Sequence, residues 1–477
     1  MEYMRPLRPI EHERLSMFFE KNSEFGEIVA AVQQQGARAY MVGGAVRDFV
    51  LGLPLKDVDI EVHDINLDGL RGILQNFGPV EMVGKSFGVL KLFGAFESDW
   101  SVPRADGKGR KPLVEIDPGM GIVQALRRRD LTMNAMAIDL HDWHLIDPYG
   151  GEDALNQKRL SCVDPETFIE DPLRFYRVMQ FCARFECEPD EILNETCRSM
   201  DIRTVSRERI ESECEKVFLW SKRPSLGFRW LERLGRLPEI FQELAVLVLI
   251  SQNPWWHPEG NAFEHTMQTL DAAARVEGLG REKKLVLMYA ALCHDLGKSL
   301  TTKHAEDGRL ISHGHEQEGV PLARAMLNRV VGNKALIHDI LLLVRHHMSP
   351  GSFVAMGAKE AAYKRLAVRL APNLSLSFLA MLAEADLCGR NGSDSTPLEG
   401  PMRVIETFCA RAQEYGVFEA PEKALLCGAD LIPFIGEGPR LGEALKRAYE
   451  IQIAEGLHDK EKLRARVLKD IEREAPV

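Results

Sequence analysis

Two stretches decide how this chain is read. They are Ala39-Tyr40-Met41-Val42-Gly43-Gly44-Ala45-Val46-Arg47-Asp48 and, soon after, Lys56-Asp57-Val58-Asp59-Ile60-Glu61-Val62. The first is an apolar run ending in a Gly-Gly turn, where backbone N–H groups can approach a phosphate because no Cβ stands in the way. Arg47 then offers a planar fork for phosphate oxygens. The second alternates charged and apolar residues, the period of a half-buried strand with its carboxylates on one face. Asp57, Asp59 and Glu61 are thus expected to point the same way. Alternate strand residues lie about 6.6 Å apart, a spacing that can bracket two divalent ions held about 3.5–4 Å apart. A bare Asp-x-Asp is usually the solvated face of an edge strand, and a bare Gly-Gly is usually only a turn. Their order in the chain is what points to chemistry.

Working outward, the same order continues with Arg128-Arg129-Asp130-Leu131-Thr132-Met133-Asn134-Ala135-Met136-Ala137, Ile146-Asp147-Pro148-Tyr149-Gly150-Gly151 and Glu170-Asp171-Pro172-Leu173-Arg174-Phe175-Tyr176-Arg177. With these motifs, residues 39 to about 250 resemble the class II tRNA nucleotidyltransferases, that is, the CCA-adding enzymes and the bacterial poly(A) polymerases. The resemblance implies an α/β nucleotidyltransferase head followed by an all-α neck, body, HD domain and tail. It implies Mg²⁺ carried by Asp57 and Asp59, with nucleotide bound by Gly43, Gly44, Arg47, Arg129, Asp171, Arg174 and Arg177. The expected reaction is in-line attack of a tRNA 3′-hydroxyl on the α-phosphate of CTP or ATP, with pyrophosphate leaving. A third carboxylate is either Asp99 or Glu61, and the sequence leaves both open.

Asp171 and Arg174 lie three apart on what reads as a helix starting at Asp171-Pro172, so they are expected to share a face. A carboxylate accepts and a guanidinium donates. Cytosine and adenine each present an amino donor beside a ring-nitrogen acceptor, whereas uracil and guanine present the reverse. The pair therefore fits C and A and leaves U and G with unpaired polar groups. The resemblance assigns this template role to Asp171 and Arg174. Ordinary dipole complementation at a helix start is the plainer reading of the same residues.

Further on, His265, then His294-Asp295, then Asp386 resemble the ordered ligands of the HD phosphohydrolases, with Cys293-His294-Asp295-Leu296-Gly297-Lys298 at the core and Trp256-His257-Pro258-Glu259 ahead of it. Imidazoles and carboxylates at the ends of packed helices make a site for a divalent ion, its identity open, that activates water against a phosphoester. Relatives with this domain act as phosphatases or phosphodiesterases, including on 2′,3′-cyclic phosphates. Of His313, His315, His346 and His347, no more than one is expected to join the site.

Composition sets the frame. The chain has 477 residues, enough for several domains, and a formal charge of −11, which argues against nonspecific coating of nucleic acid but allows a local basic groove. Nine cysteines without a Cys-x-x-Cys pair indicate neither a zinc ribbon nor a disulfide framework. The first residues lack the apolar core of a signal peptide, and the longest apolar run, Leu285 to Cys293, is too short to span a bilayer, so a cytoplasmic protein without membrane attachment is expected. Expected boundaries are a helical extension at 1–38, the head at 39–165, neck and body at 166–249, the HD domain at 250–400 and a helical tail at 401–477. A Gly-, Lys-, Arg- and Pro-rich loop is expected from Arg104 to Pro118. In the tail, the Gly-rich turn at 436–442 reads as a helix boundary or an RNA contact. A CC-adding or A-adding specialist and a poly(A) polymerase are the near alternatives. An HD phosphohydrolase whose head only binds RNA, and a nucleotide sensor without transfer activity, are alternatives of another class. Oligomeric state is not legible.

Overall fold

The computed structural model describes residues 3–55, 58–83, 88–93, 98–106 and 114–474, so Asp57 lies outside the described residues. The chain forms two compact units, Met1–Val217 and Phe218–Val477.

The first unit is built on a sheet whose strands, in chain order, are β1 (Met4–Pro6), β2 (Arg38–Val42), β3 (Asp59–His63), β4 (Val80–Val83), β5 (Val89–Leu92), β6 (Ser98–Ser101), β9 (Ala137–Asp139) and β10 (His144–Ile146); β7 (Arg104–Asp106) and β8 (Val114–Ile116) form a separate antiparallel hairpin. The spatial order is β1-β10-β9-β2-β3-β6-β5-β4. Neighbours are antiparallel except β3 and β6, which run parallel. A parallel pair needs a crossover, supplied by the helix Leu67–Leu74 and the β4/β5 hairpin. The consequence for function is register: Asp59 of β3 sits opposite Asp99 of β6.

Two expectations change. The extension at 1–38 is more than a helical lead-in, because β1 adds an edge strand beside β10. Its helices Pro9–Lys21 and Ser23–Gln34 bury Leu15, Phe25, Ile28 and Val32, and Phe25 packs against the fully buried Trp100 with ring centroids 6.0 Å apart. Apolar spacing at helical period announces the helices, whereas a three-residue strand leaves too short a pattern to see. The segment Arg104 to Pro118, expected as a loop, carries the paired strands β7 and β8 at its described ends.

The second unit is helical, with one small departure from all-α: Lys303–His304 and Leu310–Ile311 pair as a two-stranded antiparallel hairpin. The apolar run Leu285–Cys293 is the buried part of the helix Arg281–Cys293. This helix packs against Ala262–Ala274, Lys334–His346 and Leu376–Cys388. The tail helices Gly428–Ile435, Pro439–Glu455 and Lys460–Glu474 share a small core of Leu426, Leu431, Ala444, Ala448, Leu463 and Val467. Among the described residues, no helix is long and apolar enough to cross a membrane, and all nine cysteines are free.

Candidate active sites

In the first unit, Asp59 and Asp99 are both exposed and line a cleft of about 300 Å³ together with Ser101, Arg104, Arg128, Arg129 and Arg174. Two carboxylates and four guanidiniums in one cleft match a polyanion accompanied by cations. Gly43 explains how Arg129 fits beside Asp59. Gly43 turns the chain out of β2 with φ of +70°, and a Cβ there would lie 2.8 Å from Arg129 Nη1 and 3.7 Å from Asp59 Oδ2. Only glycine leaves that space and adopts that backbone without strain.

Glu61 and Asp99 now separate. Glu61 shares the face of Asp59 but is buried beneath it, accepting from Arg128 Nη2 at 2.6 Å and contacting His63 Nε2 at 3.2 Å. Burial pushes its carboxyl up, and the hydrogen bond from His63 with the charges of Arg128 and Arg129 outweighs this, holding it at about 2. Glu61 thus anchors Arg128, while Asp99 faces the cleft.

Three residues expected to hold nucleotide are engaged elsewhere. Arg47 is buried: its Nε donates to Asp48 at 2.8 Å, its Nη1 to Asn134 at 2.7 Å, and the Phe185 ring lies 4.6 Å from its guanidinium carbon. It ties the Gly-Gly turn to the Arg-Arg-Asp motif, so the expected phosphate fork is a structural clamp here. Arg177 donates through Nε to Asp130 at 2.6 Å. Asp130 also accepts from Asn134 at 3.0 Å, and although burial opposes it, these partners hold its carboxyl at about 2. Asp171 does not share a helical face with Arg174. The helix begins at Leu173, whose N–H donates to Asp171 at 3.1 Å, and Arg209 holds the Asp171 carboxylate at 3.1 and 3.2 Å. Arg174 does reach the cleft, steadied by the main-chain oxygens of Thr167 and Arg128, both at 2.8 Å. Of the expected head residues, Asp59, Arg129 and Arg174 meet at the cleft, with Gly43 supporting them and Gly44 continuing the turn against Arg47. Arg104 and Arg128 were not anticipated individually; Arg128 belonged to a visible arginine run, and Arg104 carried no signal.

In the second unit, helix ends converge on a buried cluster. His265 lies in the helix Ala262–Ala274, capped by Asn261, whose side chain accepts from Glu264 N; His294-Asp295 end the helix Arg281–Cys293, and Asp386 comes from Leu376–Cys388. His265 Nε2 faces Asp386 Oδ1 at 3.1 Å, His294 Nε2 at 3.3 Å and Asp295 Oδ2 at 3.5 Å. The other Asp295 oxygen faces His315 Nε2 at 3.2 Å, and His315 Nε2 lies 3.1 Å from His347 Nε2. Both His315 and His347 therefore join, one more histidine than expected. Gly297 allows it, because a Cβ there would lie 2.0 Å from the His315 carbonyl oxygen.

Tautomers follow from hydrogen bonds. Nδ1 of His294, His315 and His347 each lies 2.7 Å from a main-chain carbonyl, of Ala291, Ser312 and Val344. A carbonyl only accepts, so Nδ1 carries a proton in each and Nε2 is the atom turned to the cluster, able to ligate once it is unprotonated. Burial lowers His347 to about 3, keeping it neutral. Asp295 is held well below the usual carboxylate range despite burial, chiefly by His294 and Lys298, whose Nζ lies 2.6 Å from it. Glu259 Oε1 lies 2.8 Å from Nδ1 of both His257 and His265 and so orients the latter. Imidazole Nε2 atoms against carboxylates fit divalent-ion ligation, in two sets, His265/His294/Asp386 and Asp295/His315/His347.

Comparison with known proteins agrees with this division. Residues 39–161 match the Poly A polymerase head domain family and residues 262–372 match the HD domain family. The chain is 33% identical over 370 residues to the multifunctional CCA protein of Pasteurella multocida, covering 74% of this chain and 84% of that protein. It is 34% identical to that of Tolumonas auensis (78% and 89% covered) and 31% identical to that of Hahella chejuensis (86% and 93%). Among solved structures, the Bacillus stearothermophilus CCA-adding enzyme in complex with CTP superposes with a TM-score of 0.63 at 20% identity, covering 94% of this chain and 98% of that one. The Thermotoga maritima CCA-adding enzyme complexed with tRNA gives 0.60 at 18% identity, covering 99% and 100%. These two likenesses concern the fold.

Proposed function

The chain belongs to the multifunctional CCA protein family of nucleotidyltransferases, and on that premise we propose that its head adds C, C and A to the 3′ end of tRNA from CTP and ATP. The observation that carries this reading is the register of Asp59 with Asp99 at a cleft walled by Arg104, Arg128, Arg129 and Arg174. Asp59 and Asp99, with Asp57, would hold Mg²⁺, which when bound neutralises charge on the reacting phosphate and eases deprotonation of the attacking hydroxyl. Arg129, set beside Asp59 by the bare Gly43, and the neighbouring Arg104 and Arg128 bind triphosphate oxygens. Arg174 donates to the acceptor edge of C or A. Asp171 accepts the amino group once it leaves Arg209; that ion pair is 41% and 49% exposed, so releasing it costs little. The RNA 3′-hydroxyl attacks the α-phosphate in line and pyrophosphate departs.

The second unit supports a second activity, hydrolysis of phosphoesters. His265, His294, Asp295, Asp386, His315 and His347 would hold one or two divalent ions that activate water. RNA ends are the substrate class that suits a protein handling tRNA termini, and the cytoplasm is the compartment of both reactions.

Asp59→Asn and Asp99→Asn each lower nucleotide incorporation by about 10²-fold or more without changing the circular-dichroism melting curve, while Glu61→Gln also lowers stability because it releases Arg128. Incorporation at the unmodified rate by either aspartate variant would remove the assignment.

A further inference from the structure

The cavity that holds the second unit's metal ligands has a wall that ligation does not use. It encloses about 390 Å³, a size that fits a small ligand. Its floor bears Lys298 and Arg390, held against Asp295 at 2.6 Å and Asp386 at 3.2 Å, beside the carboxylates themselves. Its wall carries the indole of Trp256 with Leu310 and Met348. Trp256 is 62% exposed, an unusual state for the side chain with most to gain from burial. It is nevertheless on a fixed loop. Its N–H and that of His257 both donate to the Asn253 carbonyl, at 3.1 and 2.9 Å, and Ser251 bridges Asn261 across the loop's base. The next residue, His257, is tied to Glu259, the carboxylate that orients His265. A largely exposed indole is therefore registered against the ligand cluster through one short covalent link.

We infer that Trp256 is a base-stacking wall of this cavity, the side chain through which the site tells a nucleoside phosphoester from a base-free one. The inference rests on the phosphoesterase reading above and adds its specificity. Cations and metal ligands at the floor receive the phosphate, and the indole receives the π-face of the base. Stacking of this kind tolerates any base, because every base has such a face. A free nucleotide and an RNA terminus share this chemistry.

Full-length protein labelled with 5-fluorotryptophan at its six tryptophans, with Trp256 assigned through Trp256→Phe, is titrated with adenosine 2′-monophosphate, glycerol 2-phosphate and inorganic phosphate. The Trp256 fluorine resonance should shift with the nucleotide alone. A resonance that ignores the nucleotide, or that moves equally with all three, overturns the inference. In hydrolysis, Trp256→Ala should lower kcat/KM on adenosine 2′,3′-cyclic phosphate by about tenfold, mainly through KM, with Trp256→Phe restoring most of it and glycerol 1,2-cyclic phosphate turned over as before. Equal loss on both substrates would leave Trp256 a purely structural role and overturn the inference. A lower KM for an RNA hairpin ending in a 2′,3′-cyclic phosphate supports an RNA end as the source, and an equal KM supports free nucleotides; both require Trp256. If unmodified protein hydrolyses nothing, the phosphoesterase reading fails, and the fluorine titration still decides the stacking.

Discussion

Individual residues in both sites are placed by what surrounds them more than by what they are. Gly43 is the clearest case, since its missing side chain makes the room in which Arg129 stands beside Asp59. Gly43→Ala introduces a strained backbone, costing about 1–3 kcal/mol, and displaces that guanidinium. The variant should show a raised KM for CTP and ATP alike together with a lower melting temperature, and unchanged KM values would disconnect Gly43 from nucleotide binding. At the helical cluster, Asp295 faces both ligand sets. His315→Ala should therefore lower the number of tightly bound divalent ions from about two to about one by calorimetric titration with Mn²⁺, whereas unchanged stoichiometry would mean a single-ion site. The same residues mark how far sequence reaches. Asp59 and Gly43 were legible because strand period and a glycine turn are local properties. The present engagements of Arg47, Arg177 and Asp171 were not legible, because their partners Asn134, Asp130 and Arg209 stand 87, 47 and 38 residues away. Spacing tells which face a side chain shares, not which charge it meets there.

Among the elements, the extension at 1–38 shows the same limit. Its helices were legible from their apolar period, but its edge strand was not, nor was the network beneath it. Glu11 is buried and binds Arg5 at 2.8 Å and Arg8 at 2.5 Å, while Arg5 also reaches Glu152 at 2.7 Å. Burial would raise the Glu11 carboxyl, yet the hydrogen bonds from Arg5 and Arg8 prevail and lower it from an ordinary 4.5 to about 2. A carboxyl lowered by folding stabilises the fold above its unfolded pKa and loses that contribution as protons bind. Glu11 should thus stabilise the head fully above pH 4.5 and progressively less as pH falls toward 2. Glu11→Gln should destabilise by about 1.5–3 kcal/mol at pH 7, with the difference from the unmodified protein shrinking across that window in urea unfolding monitored at the head. A difference independent of pH would indicate lost packing instead. The helical cluster was legible in four of its six members because the His…His-Asp…Asp order is carried by the chain. His315 and His347 were not, since a histidine that opens a helix, as His315 does, or follows its last turn, as His347 does, looks the same in sequence whether it turns inward or out.

For the whole molecule, charge and site agree. A net charge of −11 argues against nonspecific coating of RNA, and the chain brings Arg104, Arg128, Arg129 and Arg174 together in one cleft. Family membership, the α/β head and the helical remainder were all readable from ordered motifs. Nothing in the motifs foretold which side chains would be spent on holding the head together. The most direct test of the central claim is incubation of purified protein with Mg²⁺ and tRNA transcripts ending before the first C, after CC and after CCA, with CTP, ATP or both, and product lengths read on a sequencing gel. The account predicts addition that stops at CCA from either incomplete end and nothing added to the complete one. Arrest at CC, addition of A alone, a lengthening A tail or no addition at all would contradict it.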